Sequence, residues 1–242
     1  MTPELQVTHD KELLERRIKA SEESKGTSTG AVIDHALKAA LEMGTTRSML
    51  EYGAGMGDLI RRLVAAGWTG TITGADLFAR PEGLPENVAW IQEDLNRPLQ
   101  VPDASFDVVV STEVIEHLEN PRAVAREFAR LLRPGGRVLL TTPNQESLRS
   151  LLSLVVTGHF ALFQDSCYPA HITALLRKDL LRVFQEAGFV NIQFSYVAHG
   201  GIPKRPHISW QQVSRGLLQG RWFSDTIVMT AELPPASGAS EG

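Results

Sequence analysis

A single cysteine among 242 residues leaves Cys167 without an internal disulfide partner; a small buried thiol in a reducing cytoplasm is the expectation. Long hydrophobic runs are missing too. The most apolar stretch, residues 151–163, is interrupted by Ser153, Thr157, Gly158 and His159 and is too short to span a bilayer. That argues against stable membrane insertion and predicts a buried or lid helix, with contact to a lipid-like substrate left open. A strong charge bias is also absent, since 24 Lys and Arg against 28 Asp and Glu leave a formal net charge of −4. Without a clear basic run, nucleic acid is a disfavoured partner and a small molecule a favoured one. Met1 is followed by Thr2-Pro3-Glu4 instead of a charged and then apolar leader, and no internal repeat stands out. What is present is ordinary. With 43% apolar and 21% charged residues, the chain reads as globular, and it is long enough for one generous domain or a core domain with an insertion. Its composition sets no oligomeric state.

The chain is organised around Leu50-Glu51-Tyr52-Gly53-Ala54-Gly55-Met56-Gly57-Asp58. A short apolar run ends in an acid, three alternate glycines follow, and helical periodicity begins at once through Leu59, Ile60, Leu63 and Val64. A strand that feeds a glycine turn with a helix start behind it is the nucleotide-binding arrangement of open α/β sheets. Glycine there allows both the tight bend and the close approach of a ligand. The dinucleotide spacing Gly-x-Gly-x-x-Gly is not met, because Asp58 stands where its third glycine belongs. A negative charge at that place suits pyrophosphate poorly and favours a cofactor with a cationic centre and no phosphates, which argues against a nicotinamide dehydrogenase.

Strand and helix patterns alternate on either side of this turn. Residues 10–23 read as a weakly amphipathic helix capped by Asp10, residues 25–30 as a loop, and Val32, Ala36, Leu37, Ala40 and Leu41 as one face of a second helix. A strand over 71–76 ends in Asp76, roughly 20 residues beyond the glycine turn, where a carboxylate can reach both hydroxyls of a ribose; a plain turn aspartate is the alternative. A short strand at 88–92 leads into Glu93-Asp94-Leu95. Residues 106–111 are apolar on both faces, as a central parallel strand should be, and run into Thr112-Glu113-Val114-Ile115-Glu116-His117-Leu118. Asn120 and Pro121 open a helix with Val124, Phe128, Leu131 and Leu132 on its face, and Arg133-Pro134-Gly135-Gly136 turns from it into a strand over 137–142. The rhythm then lapses over 143–176. So long a connection is usually functional, and it should cover the carboxyl ends of the strands and face substrate. Leu180, Leu181, Phe184 and Ala187 mark another helix, whose N-terminal cap is not evident. A strand over 189–197, a short helix over 208–218 and a last strand over 226–233 follow, the two strands being compatible with an antiparallel closing hairpin. The expected organisation is an N-terminal helical cap over 1–29, a Rossmann-like α/β domain over 30–233 with a covering insertion at 143–176, and a disordered tail over 234–242.

The glycine turn and its preceding acid resemble motif I of the class I S-adenosylmethionine-dependent methyltransferases. Leu131-Leu132-Arg133-Pro134-Gly135-Gly136 is similar to that family's helix-to-strand turn, and the likeness extends from about residue 30 to 233. It implies a mostly parallel seven-stranded sheet with helices on both faces and an antiparallel last strand. It also implies S-adenosylmethionine as cofactor and methyl transfer to an oxygen or nitrogen of a small-molecule or saccharide-like acceptor. The implied cofactor-binding residues are Glu51, Gly53, Ala54, Gly55, Gly57, Asp76, Leu77, Asp94, Leu95 and Glu113. Within this set Asp94 would accept from the adenine amino group, the Leu95 N–H would meet a ring nitrogen, and Glu113 would lie near the methionine part.

His117, at the carboxyl end of the fourth strand, and His171, at the far end of the covering segment, are the candidates for a catalytic base; packing roles are the alternative for each. Glu113-Val114-Ile115-Glu116-His117 also places two carboxylates and an imidazole within one turn, a set that suits a divalent ion. With Thr141-Thr142-Pro143-Asn144 and a later histidine, this string is similar to the small-RNA 3′-terminal 2′-O-methyltransferases, whose metal would map onto Glu113, Glu116, His117 and His171. Ubiquinone-pathway O-methyltransferases look alike at the same strand. The primary reading has no metal. The alternatives are a metal-dependent RNA or quinone-precursor O-methyltransferase and, from another class, a non-catalytic S-adenosylmethionine-binding partner protein.

Overall fold

The computed structural model describes residues 28–236 and, ahead of them, Glu12, Glu15, Ile18 and Lys19, which are helical. The remainder of the helix expected over 10–23, and the tail from 237 onward, lie outside the described residues. From Gly30 the chain alternates as its periodicity predicts. Its first half is α1 (Gly30–Glu42), β1 (Met49–Tyr52), α2 (Asp58–Ala65), β2 (Ile72–Asp76), β3 (Ala89–Gln92), β4 (Phe106–Thr112) and α3 (Pro121–Leu131). The second half comprises β5 (Leu132–Pro143), α4 (Leu148–Thr157), α5 (Arg177–Glu186), β6 (Val190–Tyr196), a small β7–β8 hairpin (Gly201–Ile202 and Arg205–Ser209), α6 (Trp210–Val213) and β9 (Thr226–Glu232).

Seven strands form one sheet in the order β3-β2-β1-β4-β5-β9-β6. The first five are parallel, and β9 runs antiparallel to both of its neighbours. This is the Rossmann-like sheet that the resemblance implies. Strand order reverses between β1 and β4, and at such a reversal the crossovers diverge and leave a crevice beyond the carboxyl ends of the strands. Alternation along the strands feeds two apolar layers. Val108 and Val110 pack with Met49, Leu59 and Leu139 on the α1–α2 side, while Val109 packs with Leu50, Phe128 and Leu131 on the α3–α5 side. Burial on both faces explains the apolar run Val108-Val109-Val110 at the centre of β4.

Two local devices set the loops around the crevice. The Asn120 side chain accepts from the Ala123 N–H at 3.0 Å, with Pro121 in the first turn, so α3 starts directly behind the loop at 112–118. The Tyr52 hydroxyl donates to the Leu95 carbonyl at 2.6 Å and its ring meets Phe128 edge-on at 5.0 Å, which ties the loop after β3 to the core. Burial raises the Tyr52 phenol above its ordinary range, so the O–H remains a donor. The start of α5, obscure in sequence, is held by Asp179, whose carboxylate accepts from the Leu176 N–H at 3.2 Å.

Four expectations need correction. The strand expected over 137–142 begins earlier, at Leu132, which pairs with Phe106, and the Arg133–Gly136 turn is a bulge within it, since the next pair is Val108 with Arg137 and Gly135 has φ +78°. The helix expected over 208–218 shrinks to four residues. Ile208 and Ser209 finish β8, the Ser209–Gln212 reciprocal cap starts α6 at Trp210, and the Gln211 amide draws the carbonyls of Leu218 and Phe223 across its end. The covering segment does contain a helix, α4, but it is not buried, since Ser150 alone of its residues is enclosed. Cys167 lies half-buried in a 3-10 turn (Asp165–Cys167), not in the core.

Candidate active site

A cavity of about 580 Å³ opens at the carboxyl ends of β1, β2 and β4, where the strand order reverses. The glycine turn forms its floor. Gly53, Ala54 and Gly55 line it, and Gly53 has φ +84°, a left-handed conformation in which a Cβ would lie 2.2 Å from Val114 Cγ2. Only glycine passes so close under the loop that follows β4. Gly57 stands outside the cavity wall. Its φ of +75° turns the chain into α2, and a Cβ there would meet Leu84, so its duty is the bend itself and not ligand contact.

Four acids, Glu51, Asp58, Asp76 and Asp94, gather around this floor. Asp76 ends β2 with one carboxylate oxygen accepting from the Gly55 N–H at 2.7 Å and the other from the Phe78 N–H at 3.1 Å. The turn is thereby braced across two strands. Glu51, the penultimate residue of β1, is buried and has Oε2 without a hydrogen-bond partner. Burial, then the nearby charges of Asp76 and Asp58, hold its carboxyl well above the ordinary range; burial likewise raises Asp76. A buried carboxyl group with an empty acceptor position and acidic neighbours is an environment that a cation would relieve. Leu77, Asp94 and Leu95 complete this half, with Asp94 Oδ1 held by the Asn96 backbone and side-chain N–H groups.

The other half is built on the loop after β4. Glu113, with φ +56°, is kept in that sparsely populated conformation by Thr141, whose hydroxyl accepts from its N–H at 3.0 Å and lies 3.1 Å from Oε1. Glu116 is fully enclosed. Its Oε2 accepts from the Thr142 hydroxyl at 3.0 Å, while Oε1 has no partner. Burial raises both carboxyl groups, and for Glu113 the adjacent Glu116 adds to the shift. The His117 and His171 rings meet edge-on, with centroids 4.8 Å apart. Nδ1 of His117 lies 2.8 Å from the Ala170 carbonyl, and Nδ1 of His171 lies 2.6 Å from the Leu162 carbonyl. A carbonyl only accepts, so each Nδ1 carries the hydrogen and each Nε2 presents a lone pair. Burial lowers both imidazoles, which favours the neutral form.

Ligand atoms of Glu116, His117 and His171 lie within 4.8 Å of one another, a grouping able to hold a metal ion. Three of the four residues of the metal alternative are therefore brought together, while Glu113 is not part of the cluster. All the expected cofactor-binding positions except Gly57 line the cavity, as do both histidines. Sequence reading missed Thr141 and Thr142 as supports for the two glutamates. The signal was available in the parallel register, which sets Thr141 beside Thr112 at the end of β4. It also missed Ser28, Thr29 and Ile33, where composition gives no sign of a ligand wall, whereas Tyr168, an aromatic that reads as core or as pocket lining, is exposed and lines the cavity.

Fold and crevice define a doubly wound α/β domain with an acid-lined cavity at its glycine turn. The chain belongs to the methyltransferase-domain family, which matches residues 21–194, and S-adenosylmethionine is the cofactor of that class. A ubiquinone biosynthesis O-methyltransferase of Serratia proteamaculans is 32% identical over 117 residues, covering 45% of this chain and 48% of that one. A probable S-adenosylmethionine-dependent methyltransferase of Mycobacterium tuberculosis is 32% identical over 166 residues, covering 64% and 53%. The match thus spans about half the length of these curated relatives. The crystal structure of a Burkholderia thailandensis 1,6-didemethyltoxoflavin-N1-methyltransferase with S-adenosylhomocysteine bound superposes with TM-score 0.63 at 17% identity, over 93% of this chain and 90% of that one.

Proposed function

We propose that this chain transfers the methyl group of S-adenosylmethionine to an oxygen or nitrogen of a small-molecule or saccharide-like acceptor in a reducing cytoplasm. The observation that carries the reading is one cavity with two unlike ends: a cation-seeking end at Glu51 beside the glycine turn, and an end where two imidazoles present lone pairs. S-adenosylmethionine, when bound, supplies an electrophilic methyl on a positively charged sulfur. Glu51 and Asp58 would answer the cationic part, Asp76 the ribose hydroxyls, and Asp94 with the Leu95 N–H the adenine. Holding two reactants in line is worth on the order of 7–11 kcal/mol of barrier, and His117 or His171 Nε2 can take the acceptor's proton, a contribution of about 10²- to 10⁴-fold.

S-adenosylhomocysteine at a hundredfold excess over its Kd should raise the melting temperature by roughly 5–10 °C, from about 2.7 kcal/mol of linkage in a domain of this size. NAD should not. Because Glu51 is held above its ordinary range and must ionise to meet a cation, donor affinity should rise with pH through that group's titration, with proton release visible as a buffer-dependent heat. Stabilisation by NAD alone would overturn the reading. Tight S-adenosylhomocysteine binding with no methyl incorporation across a broad acceptor panel would point instead to a binding-only partner protein.

A second reading is favoured by the Glu116–His117–His171 cluster. Carbonyl-bonded Nδ1 atoms, ligand atoms of both histidines and Glu116 within 4.8 Å of one another, and an unpartnered buried carboxylate oxygen fit a divalent ion such as zinc or manganese, which would supply Lewis acidity toward an oxygen acceptor. One equivalent of metal should bind by calorimetry, and His171→Ala should weaken it at least tenfold while S-adenosylhomocysteine affinity stays unchanged. If the parent binds no metal and His171→Ala lowers turnover alone, the imidazole acts as a base; if turnover is also unchanged, it packs.

A further inference from the structure

The covering helix α4 turns its apolar side outward. Leu152, Val155 and Val156 are 48%, 83% and 71% exposed, and Arg149, the single charged residue between Ser147 and Gln164, is paired with Asp225 at 2.7 Å. Exposure of this kind on a short amphipathic helix marks a contact surface rather than a solvent face. What covers it is indicated by its neighbour. The Asp225 carboxylate that holds Arg149 also accepts from the Gly201 N–H at 2.8 Å, and the Trp222 carbonyl accepts from the Leu148 N–H, so α4 adjoins the segment carrying the β7–β8 hairpin. Residues 197–224 contain four cations, Lys204, Arg205, Arg215 and Arg221, and no Asp or Glu, although the whole chain has a net charge of −4. Lys204, Arg205 and Arg215 are exposed, and none forms a salt bridge among the described residues. Trp222 is 45% exposed and lies beside the start of α4.

We propose that this face docks on an anionic lipid bilayer, with α4 lying in the interfacial plane and the hairpin cations over the headgroups. An apolar stripe, an exposed tryptophan and unpaired cations without carboxylates make the combination that partitions to such a surface. Among the described residues no helix is long and apolar enough to cross a membrane, which fits a helix that lies on the surface. A second copy of this chain would bring the same cations against themselves, so lipid is the better charge match. The docking does not depend on methyl transfer.

The test is flotation of the full chain with vesicles of phosphatidylcholine alone and of phosphatidylcholine mixed with phosphatidylglycerol. Binding is expected to the mixed vesicles only and to weaken with salt. Lys204→Gln with Arg205→Gln should lower the partition coefficient roughly 25-fold, from about fivefold per cation. Val155→Asp with Val156→Asp should abolish binding; both side chains are exposed, so circular dichroism and S-adenosylhomocysteine stabilisation should match the parent. Absence of binding to the mixed vesicles, equal binding to both compositions, or variants that bind like the parent would each overturn the proposal. So would a parent that dimerises by sedimentation without binding vesicles and becomes monomeric when the valines are replaced, since the face would then be a self-association surface.

Discussion

Replacing Gly53 by alanine should cost about 2–5 kcal/mol of stability and lower the melting temperature by roughly 5–15 °C, with loss of S-adenosylhomocysteine binding. Two separate costs add. At φ +84° an L side chain is strained wherever it sits, and the new Cβ would lie 2.2 Å from Val114 Cγ2 and 3.0 Å from Cγ1. Val114 cannot retreat easily, because it is buried beside Ile115 and Leu118 in the apolar layer under the loop. Val114→Ala in the same chain should relieve the collision but not the backbone, so the double variant should recover only part of the melting temperature. Full recovery would mean that the backbone conformation carries no cost; a single variant that melts like the parent would mean that the turn does not need glycine.

The second large effect is expected at Asp76. Its carboxylate is already engaged by Gly55 and Phe78 N–H groups, so Asp76→Ala removes the brace of the turn as well as the group proposed to meet the ribose. Hydrogen bonds to a charged group are each worth about 1.5–3 kcal/mol, which corresponds to a loss of S-adenosylhomocysteine affinity of about tenfold to a hundredfold by calorimetry. Asp76→Asn separates the two roles. Its amide oxygen can still accept from one N–H, but its NH₂ would face the other, so the turn is half-braced and the loss intermediate. An unchanged dissociation constant in both variants would remove Asp76 from the site.

Much of this fold is legible in the amino-acid sequence. The alternate glycines, the acids closing successive strands and the apolar run at 106–111 each follow from local rules, and together they locate the crevice. What sequence could not supply was pairing at a distance. Thr141 and Thr142 carry part of a family resemblance in sequence, but their role as supports of Glu113 and Glu116 appears only when parallel register sets them together. The tautomers of His117 and His171 are set by the carbonyls of Ala170 and Leu162, and no side-chain pattern encodes a carbonyl's direction. Of the two readings of the covering helix, buried or lid, the buried one fails, because α4 keeps its apolar residues outside. At the start of β5 the glycine turn does lie where it is expected, but as a bulge: the ladder with β9 begins at Arg137, and Gly135 and Gly136 are tied to Leu233 beyond it.

The strap that carries His171 is fastened in a particular way. The Glu116 carbonyl accepts from both the Ile172 and Thr173 N–H groups, the Thr173 hydroxyl donates to Leu118, and His117 donates to Ala170. Four bonds in so short a span make that side of the chamber a fixed wall and not a door. The two imidazoles therefore face the cavity from a frame that is already assembled when the chain has folded.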